Sequence, residues 1–192
     1  MDDLIKQLNL LWEPVQPFLL RHIEELYGRK DGQVLEIGPF GGLIFFLARK
    51  NVGESFSIAA FPKEAISFYR QEARDSGFEN QVRIIESNGS LIGIPDESAD
   101  LAIFRGALFF PELFQVDFNA IYRVLRKTGI AFVGGGFGKY TPAEIINRIR
   151  EHSGQLNDAL GRTRVTVETV RDNYDQAASK EFARSSLMAA SG

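Results

Sequence analysis

The sequence has no cysteine, and its 192 residues include only two histidines, one tryptophan and two methionines. Without cysteine there is no disulfide, no thiolate metal site and no cysteine nucleophile. Two histidines, His22 and His152, are too few for a histidine-rich metal cluster, so no metal is expected. Both fall in helical stretches, which gives a serine triad no base, and the dipole accounts for His152 near a helix C-terminus. Charge of one sign is lacking too: 22 Lys and Arg stand against 25 Asp and Glu, for a net −3. A nucleic-acid partner normally requires a basic face, so none is expected. The apolar runs are far too short to cross a membrane. Asp2 and Asp3 stand where a signal peptide would be basic and then apolar. These features together make a cytoplasmic chain without a membrane partner the expectation. There is no G-x-x-x-x-G-K-[ST], no internal repeat, no low-complexity tract, and no Asp/Glu spacing that reads as a catalytic dyad.

What is present is ordinary globular composition, 44% hydrophobic and 24% charged, enough for one α/β domain over residues 1–192. The segment 1–30 reads as a helical cap. Ile5, Leu8, Leu11 and Trp12 recur at helical spacing. A second helix opens at Pro17 and stops at Gly28. The cap either packs simply as core or uses Trp12 to close over a ligand. Residues 33–138 alternate strands and helices. Strands are expected at Gln33–Ile37, Ser55–Ala60, Gln81–Glu86, Ala99–Phe104 and Ile130–Gly134. Helices are expected near 41–50, 62–75 and 116–125. Short apolar strands between helices predict a doubly wound, mostly parallel sheet in a three-layer α/β/α fold. Residues 139–192 would add a helix opened by Thr141-Pro142-Ala143-Glu144, whose Glu144 completes a capping box. Further helices are expected around 155–160 and 166–177, with a last strand within 180–190.

The chain is organised around Val34-Leu35-Glu36-Ile37-Gly38-Pro39-Phe40-Gly41-Gly42, a buried strand that runs through a glycine-rich turn into an apolar helix. Phe40 and Leu43 occupy the later glycine places of G-x-G-x-x-G, so the turn is not that of a nicotinamide dehydrogenase. Three blocks, in order, carry a resemblance. Val34–Gly38 resembles the first motif of the class I S-adenosylmethionine-dependent methyltransferases. Ile92-Gly93-Ile94-Pro95-Asp96-Glu97-Ser98-Ala99-Asp100-Leu101 resembles that family's approach to strand four. Ile121–Ile130 resembles its link to strand five, with Thr128 in place of a glycine.

The resemblance implies a Rossmann-like fold, S-adenosylmethionine as cofactor, and a small-molecule methyl acceptor. Gly38 and Gly42 take outer glycine places of the cofactor turn, and the middle place is Phe40, whose ring either fills the cofactor's space or swings away. Glu36 either organises the methionine ammonium end or pairs with Arg105 in a structural ion pair. Arg105, at the end of strand four, is otherwise placed to bind a carboxylate of cofactor or substrate. The family's ribose-binding acid falls at Ala60, followed by Phe61, and neither side chain accepts a hydrogen bond. Asn88 and Gly89 stand at the adenine end, where Asn88 retains an amide oxygen. Phe109, Phe110 and Phe137 join Trp12 as candidate walls of a substrate pocket. Two functions follow: a small-molecule methyltransferase, or a methyltransferase-fold protein that has lost its cofactor and serves as a binding or scaffold module. The family usually ends in an antiparallel strand pair. Here one member is legible, so an incomplete pair, an uncovered edge beside strand five and a homodimer are expected.

Overall fold

The computed structural model describes residues 2–106, 117–134, 136–159 and 187–189. Helix α1 (Asp2–Trp12) and helix α2 (Gln16–Tyr27) are joined by a 3-10 turn, Glu13–Val15. Gly28 ends α2 in the left-handed region at φ 63°, returning its N–H to Glu24 O. There follow β1 (Gln33–Ile37), α3 (Leu43–Arg49), β2 (Ser55–Ala60), α4 (Glu64–Asp75), β3 (Val82–Glu86) and β4 (Ala99–Arg105). The chain continues through α5 (Phe118–Val124), β5 (Leu125–Gly134), α6 (Ala143–Ala159) and β6 (Leu187–Ala189).

The sheet order is β3-β2-β1-β4-β5-β6, and every neighbouring pair is parallel. The order reverses between β1 and β4, the switch point outside whose C-terminal ends ligands bind in such sheets. Both faces are covered, which is why β4 is buried along its whole length. One core cluster packs Leu19, Leu43, Leu47 and Tyr69 on Ile58, Ile103 and Phe132. The other packs Phe118, Ile121 and Val124 on Leu35, Ala102 and Phe104. This is the three-layer, Rossmann-like doubly wound arrangement that the sequence led us to expect.

Several sequence expectations are corrected. β5 begins at Leu125 instead of Ile130, because Leu125 pairs with Ala99 before a bulge that ends where Ile130 pairs with Leu101. Gly154 does not break α6, which runs through it to Ala159, so 155–160 is not a separate helix. The Thr141 hydroxyl donates back to Phe137 O instead of forming a capping box. The last strand expected within 180–190 is β6, which pairs parallel with β5 over Ala131–Val133. A parallel return needs a long crossover, and the segment 160–186 has that length. β6 thus lies beside β5, along those three residues, where the sequence led us to expect an uncovered edge. The helix expected at 166–177 lies outside the described residues. No helix among the described residues is long and apolar enough to cross a membrane.

Two arginines fasten the motifs to the frame. Arg123 donates to Ile94 O and Leu91 O, both at 3.0 Å, and pairs with Asp96. Buried Asp100 accepts from Gln33 N at 2.8 Å and from Arg126 at 2.6 Å. These acidic and basic residues brace the approach to β4 away from the switch point.

Candidate functional site

β1 delivers Glu36 to the switch point with no exposed surface. Its carboxylate accepts the N–H groups of Gly42 (3.1 Å), Leu43 (3.3 Å) and Ile44 (3.2 Å). Those are N–H groups that the first turn of α3 cannot pair within itself, so Glu36 caps the helix from beneath. Burial pushes the carboxyl up to about 7, against the pull of the three N–H bonds and the charge of Arg105. Gly41 lies directly over it: a Cβ there would stand 2.4 Å from Glu36 Oε1 and 2.9 Å from the Tyr69 hydroxyl. Gly38 and Gly42 have φ of 92° and 90°, which other residues rarely adopt.

The turn is also held from outside. Asn9 of α1 donates to Pro39 O at 3.0 Å and accepts from Gly41 N at 2.9 Å. Gln16 of α2 donates to Gly41 O at 2.9 Å, while its own Oε1 is buried with no partner among the described residues. The Tyr69 hydroxyl of α4 donates to Gly38 O at 3.1 Å. The sequence reading missed all three. Their signals were faint: a polar residue inside the apolar stripe of α1, a glutamine beside Pro17, and a tyrosine spaced i, i+4 from Ala65 and Ala73.

Phe40 turns inward. It is 8% exposed and joins the cluster containing Leu8, Phe61 and Phe104. A Cβ on Gly106 would lie 3.0 Å from its Cβ and Cδ2. The ring therefore packs on the backbone just past β4.

Across the switch point Arg105 is 7% exposed. Its Nη2 donates to Gly136 O, and its guanidinium lies 5.2 Å from the Phe132 ring centroid. Its Nη1 has no partner among the described residues. The expected alternative of a Glu36–Arg105 ion pair is not realised among the described residues, since the Glu36 oxygens are spent on backbone N–H groups. Burial lowers Arg105 to about 10, partly offset by the charge of Glu36, and it stays protonated at neutral pH.

The methyltransferase domain family model matches residues 35–133, the span that contains this turn, both arginine braces and the switch point. The chain belongs to that family, the class I S-adenosylmethionine-dependent methyltransferases. A protein of Methanococcus maripaludis described as a "putative s-adenosyl-l-methionine-dependent methyltransferase" superposes with TM-score 0.69 at 25% identity, over 93% of this chain and 81% of its own. A SAM-dependent methyltransferase from Aquifex aeolicus gives 0.52 at 20% identity, over 66% of this chain and 68% of its own, a likeness of fold. No curated protein matches the sequence.

Seen as a methyltransferase, the rim is uneven. At the β2 end, Ala60 is fully buried and its carbonyl accepts from Ser87 N at 3.0 Å. Phe61 is buried edge-on to Phe104, their centroids 6.1 Å apart. Neither supplies an acceptor for ribose hydroxyls. Asn88 is exposed, and its Oδ1 already accepts Ser90 N (3.0 Å) and Ile92 N (3.4 Å), so that oxygen closes its own loop beside Gly89. Of the candidate pocket walls, Trp12 and Phe137 are brought together in a stack with centroids 5.0 Å apart. That stack ties the cap to the loop after β5. The same loop is fixed to α2 by the Lys139–Glu25 ion pair at 2.7 Å. Phe109 and Phe110 lie outside the described residues.

The residues present fit the amino-acid end of the family's cofactor. An orphaned buried acceptor, Gln16 Oε1, and an orphaned buried donor, Arg105 Nη1, flank a glycine turn already fixed in place. The ribose end lacks its carboxylate.

Proposed function

We propose that this protein transfers a methyl group from S-adenosylmethionine to a small molecule. The observation that supports the reading most directly is the Glu36 clasp. A carboxylate at the end of β1, buried and bonded to Gly42, Leu43 and Ile44 N–H groups, holds the glycine turn rigid at the switch point.

When bound, the cofactor supplies an electrophilic methyl carried on a sulfonium. The protein's share is placement. Glu36, Asn9 and Tyr69 fix the turn from three sides, so its backbone is ordered before a ligand arrives. Gln16 Oε1 and Arg105 Nη1, both buried without a partner among the described residues, would hold the ammonium and carboxylate ends, and the segment around Asn88 and Gly89 would border the adenine. Holding donor and acceptor in line supplies most of the acceleration in such a transfer, so no general base is required for an acceptor that is already nucleophilic. The Trp12–Phe137 stack ties the cap to the β5–α6 loop and would wall the acceptor side.

Phe40 and Ala60 favour a second reading, a methyltransferase-fold scaffold without cofactor. The Phe40 ring is buried beside Gly106 at the β4 end, and Ala60 leaves the ribose without its acid. Calorimetric titration with S-adenosylmethionine and S-adenosylhomocysteine separates the two. Saturable binding supports the enzyme; no heat at millimolar ligand leaves the scaffold.

A further inference from the structure

Helix α1 feeds both cores of the molecule. Ile5 belongs to the cluster that holds Val34, Leu43 and Tyr69, while Leu8, one turn later, belongs to that of Leu35, Phe40 and Phe61. Val34 and Leu35 are successive residues of β1, so the two clusters lie on opposite faces of the sheet. A helix that joins both must cross the end of the sheet. Asn9 says which end: its amide bonds Pro39 O and Gly41 N, in the turn that follows β1. α1 therefore lies across the C-terminal ends of the strands, over the switch point where ligands bind in such a sheet.

The crossing occupies ground that a ligand would need. Asn9 and Leu8 are each 6% exposed. Asn9 takes one carbonyl and one N–H of the turn, at 3.0 and 2.9 Å. Leu8 fills the apolar floor beside it, and Leu4 packs on the same cluster with Ile85 of β3. A molecule that reaches the backbone of the turn or this floor has to displace both side chains.

The contact is also of a kind that opens. α1 has 11 residues, a length at which a helix without tertiary support is marginal. Water replaces the two Asn9 bonds when the helix lifts, so breaking them costs little net. The turn stays behind, because Glu36 holds Gly42, Leu43 and Ile44 from beneath and Tyr69 holds Gly38 O. The cover and the turn it covers are separate units, and local opening draws on the weaker one.

We propose that α1 is a releasable strap: closed, it blocks the switch point with Asn9 as its latch, and ligand enters only when it lifts. The proposal rests on the methyltransferase reading only for the identity of that ligand.

The test compares S-adenosylhomocysteine binding by the full chain, by Asn9→Ala, and by a chain carrying Lys6→Cys with Glu72→Cys. Lys6 of α1 and Glu72 of α4 are neighbours, the charge of one acting on the other. The chain has no cysteine of its own, so a short bis-methanethiosulfonate bridges that pair alone, and dithiothreitol releases it. A ligand that waits for an open form binds with an affinity reduced by the fraction open. Asn9→Ala leaves the closed form with two unpaired backbone groups, which raises that fraction and tightens binding by about ten- to thirtyfold. An asparagine that merely shapes the turn for the ligand gives the opposite sign. The bridged chain loses binding and regains it on reduction. Hydrogen exchange without ligand shows the α1 amides exchanging ahead of those in β1 and β4.

The proposal is overturned if Asn9→Ala binds no more tightly than wild type, or if the bridged chain binds as fast and as tightly as the reduced one. It is overturned equally if the α1 amides exchange only together with β1 and β4. Should Asn9→Ala fail to fold, the bridged chain decides. If S-adenosylhomocysteine binds none of these proteins, the methyltransferase reading falls. Exchange of α1 ahead of the sheet then upholds the strap, and exchange with the sheet removes it.

Discussion

Gly41 sits so close above Glu36 that a Cβ on it would stand 2.4 Å from Oε1 and 2.5 Å from the carboxyl carbon. Carboxylate and turn are therefore one unit: the turn lies low because Gly41 has no side chain, and lying low brings three N–H groups onto Glu36.

Gly41→Ala should accordingly break the clasp. Either the carboxylate is displaced from those N–H groups or the turn lifts from the Tyr69 hydroxyl. Losing hydrogen bonds to a charged group at a buried site costs about 3 kcal/mol. Urea denaturation should show that loss, and S-adenosylhomocysteine binding should fall with it. A variant as stable as wild type would mean the turn has slack that the contact distances deny.

Glu36 also makes stability depend on pH. Burial raises its folded pKa to about 7, against the three N–H bonds and Arg105 that pull it down. The folded state therefore holds its proton at pH values where the unfolded state, with an ordinary carboxyl, has lost it. Stability from this group is fully present below the unfolded pKa and is lost as pH rises through about 7. The swing is on the order of 3 kcal/mol at about 1.4 kcal/mol per unit. Melting temperatures of wild type and Glu36→Gln between pH 4.5 and 7.5 should converge on different slopes, the wild-type curve falling more steeply. Parallel curves would show that Glu36 ionises at an ordinary pH.

Asn9 is the hinge pin between cap and turn, accepting from Gly41 N at 2.9 Å and donating to Pro39 O at 3.0 Å. Asn9→Ala leaves both backbone groups unpaired and should cost about 2 kcal/mol, with faster amide exchange at Gly41. Asn9→Asp keeps the acceptor but sets an anionic oxygen against Pro39 O, and should not rescue. Unchanged exchange at Gly41 in Asn9→Ala would place the clamp elsewhere.

The residues that the sequence disclosed and those it hid differ in a physical way. β1 and β2 were legible to the residue because a strand buried on both faces is a continuous apolar run, and Gln33 and Ser55 mark where each run begins. Glu36 was legible because it interrupts such a run. Asn9 was not, since α1 periodicity is carried by Ile5 and Leu8 and says nothing about a partner thirty residues away. The outcome at Phe40 was not legible, because the bare Cα of Gly106, far off in sequence, makes the room for its ring. The parallel pairing of β6 was hidden for the same reason. Local patterns specify an element, whereas direction and neighbour come from the crossover.

Ala60 tests where the ribose lies. Its side chain is fully buried at the end of β2, so Ala60→Asp introduces a carboxylate that is poorly solvated until a diol pairs with it. Stability without ligand should fall by a few kcal/mol, within the range of about 1–3 kcal/mol for an unsatisfied buried group. Affinity for S-adenosylhomocysteine should rise about ten- to a hundredfold, because two new hydrogen bonds form only in the complex. Phe40→Gly, which removes the ring packed on Gly106, should add to that gain if the ring crowds the cofactor and leave it unchanged if the ring merely fills core. Calorimetry on the single and double variants reads both terms. A rise with Ala60→Asp alone locates the ribose at β2 and makes Phe40 structural; a rise only in the double variant makes Phe40 the group that bars entry.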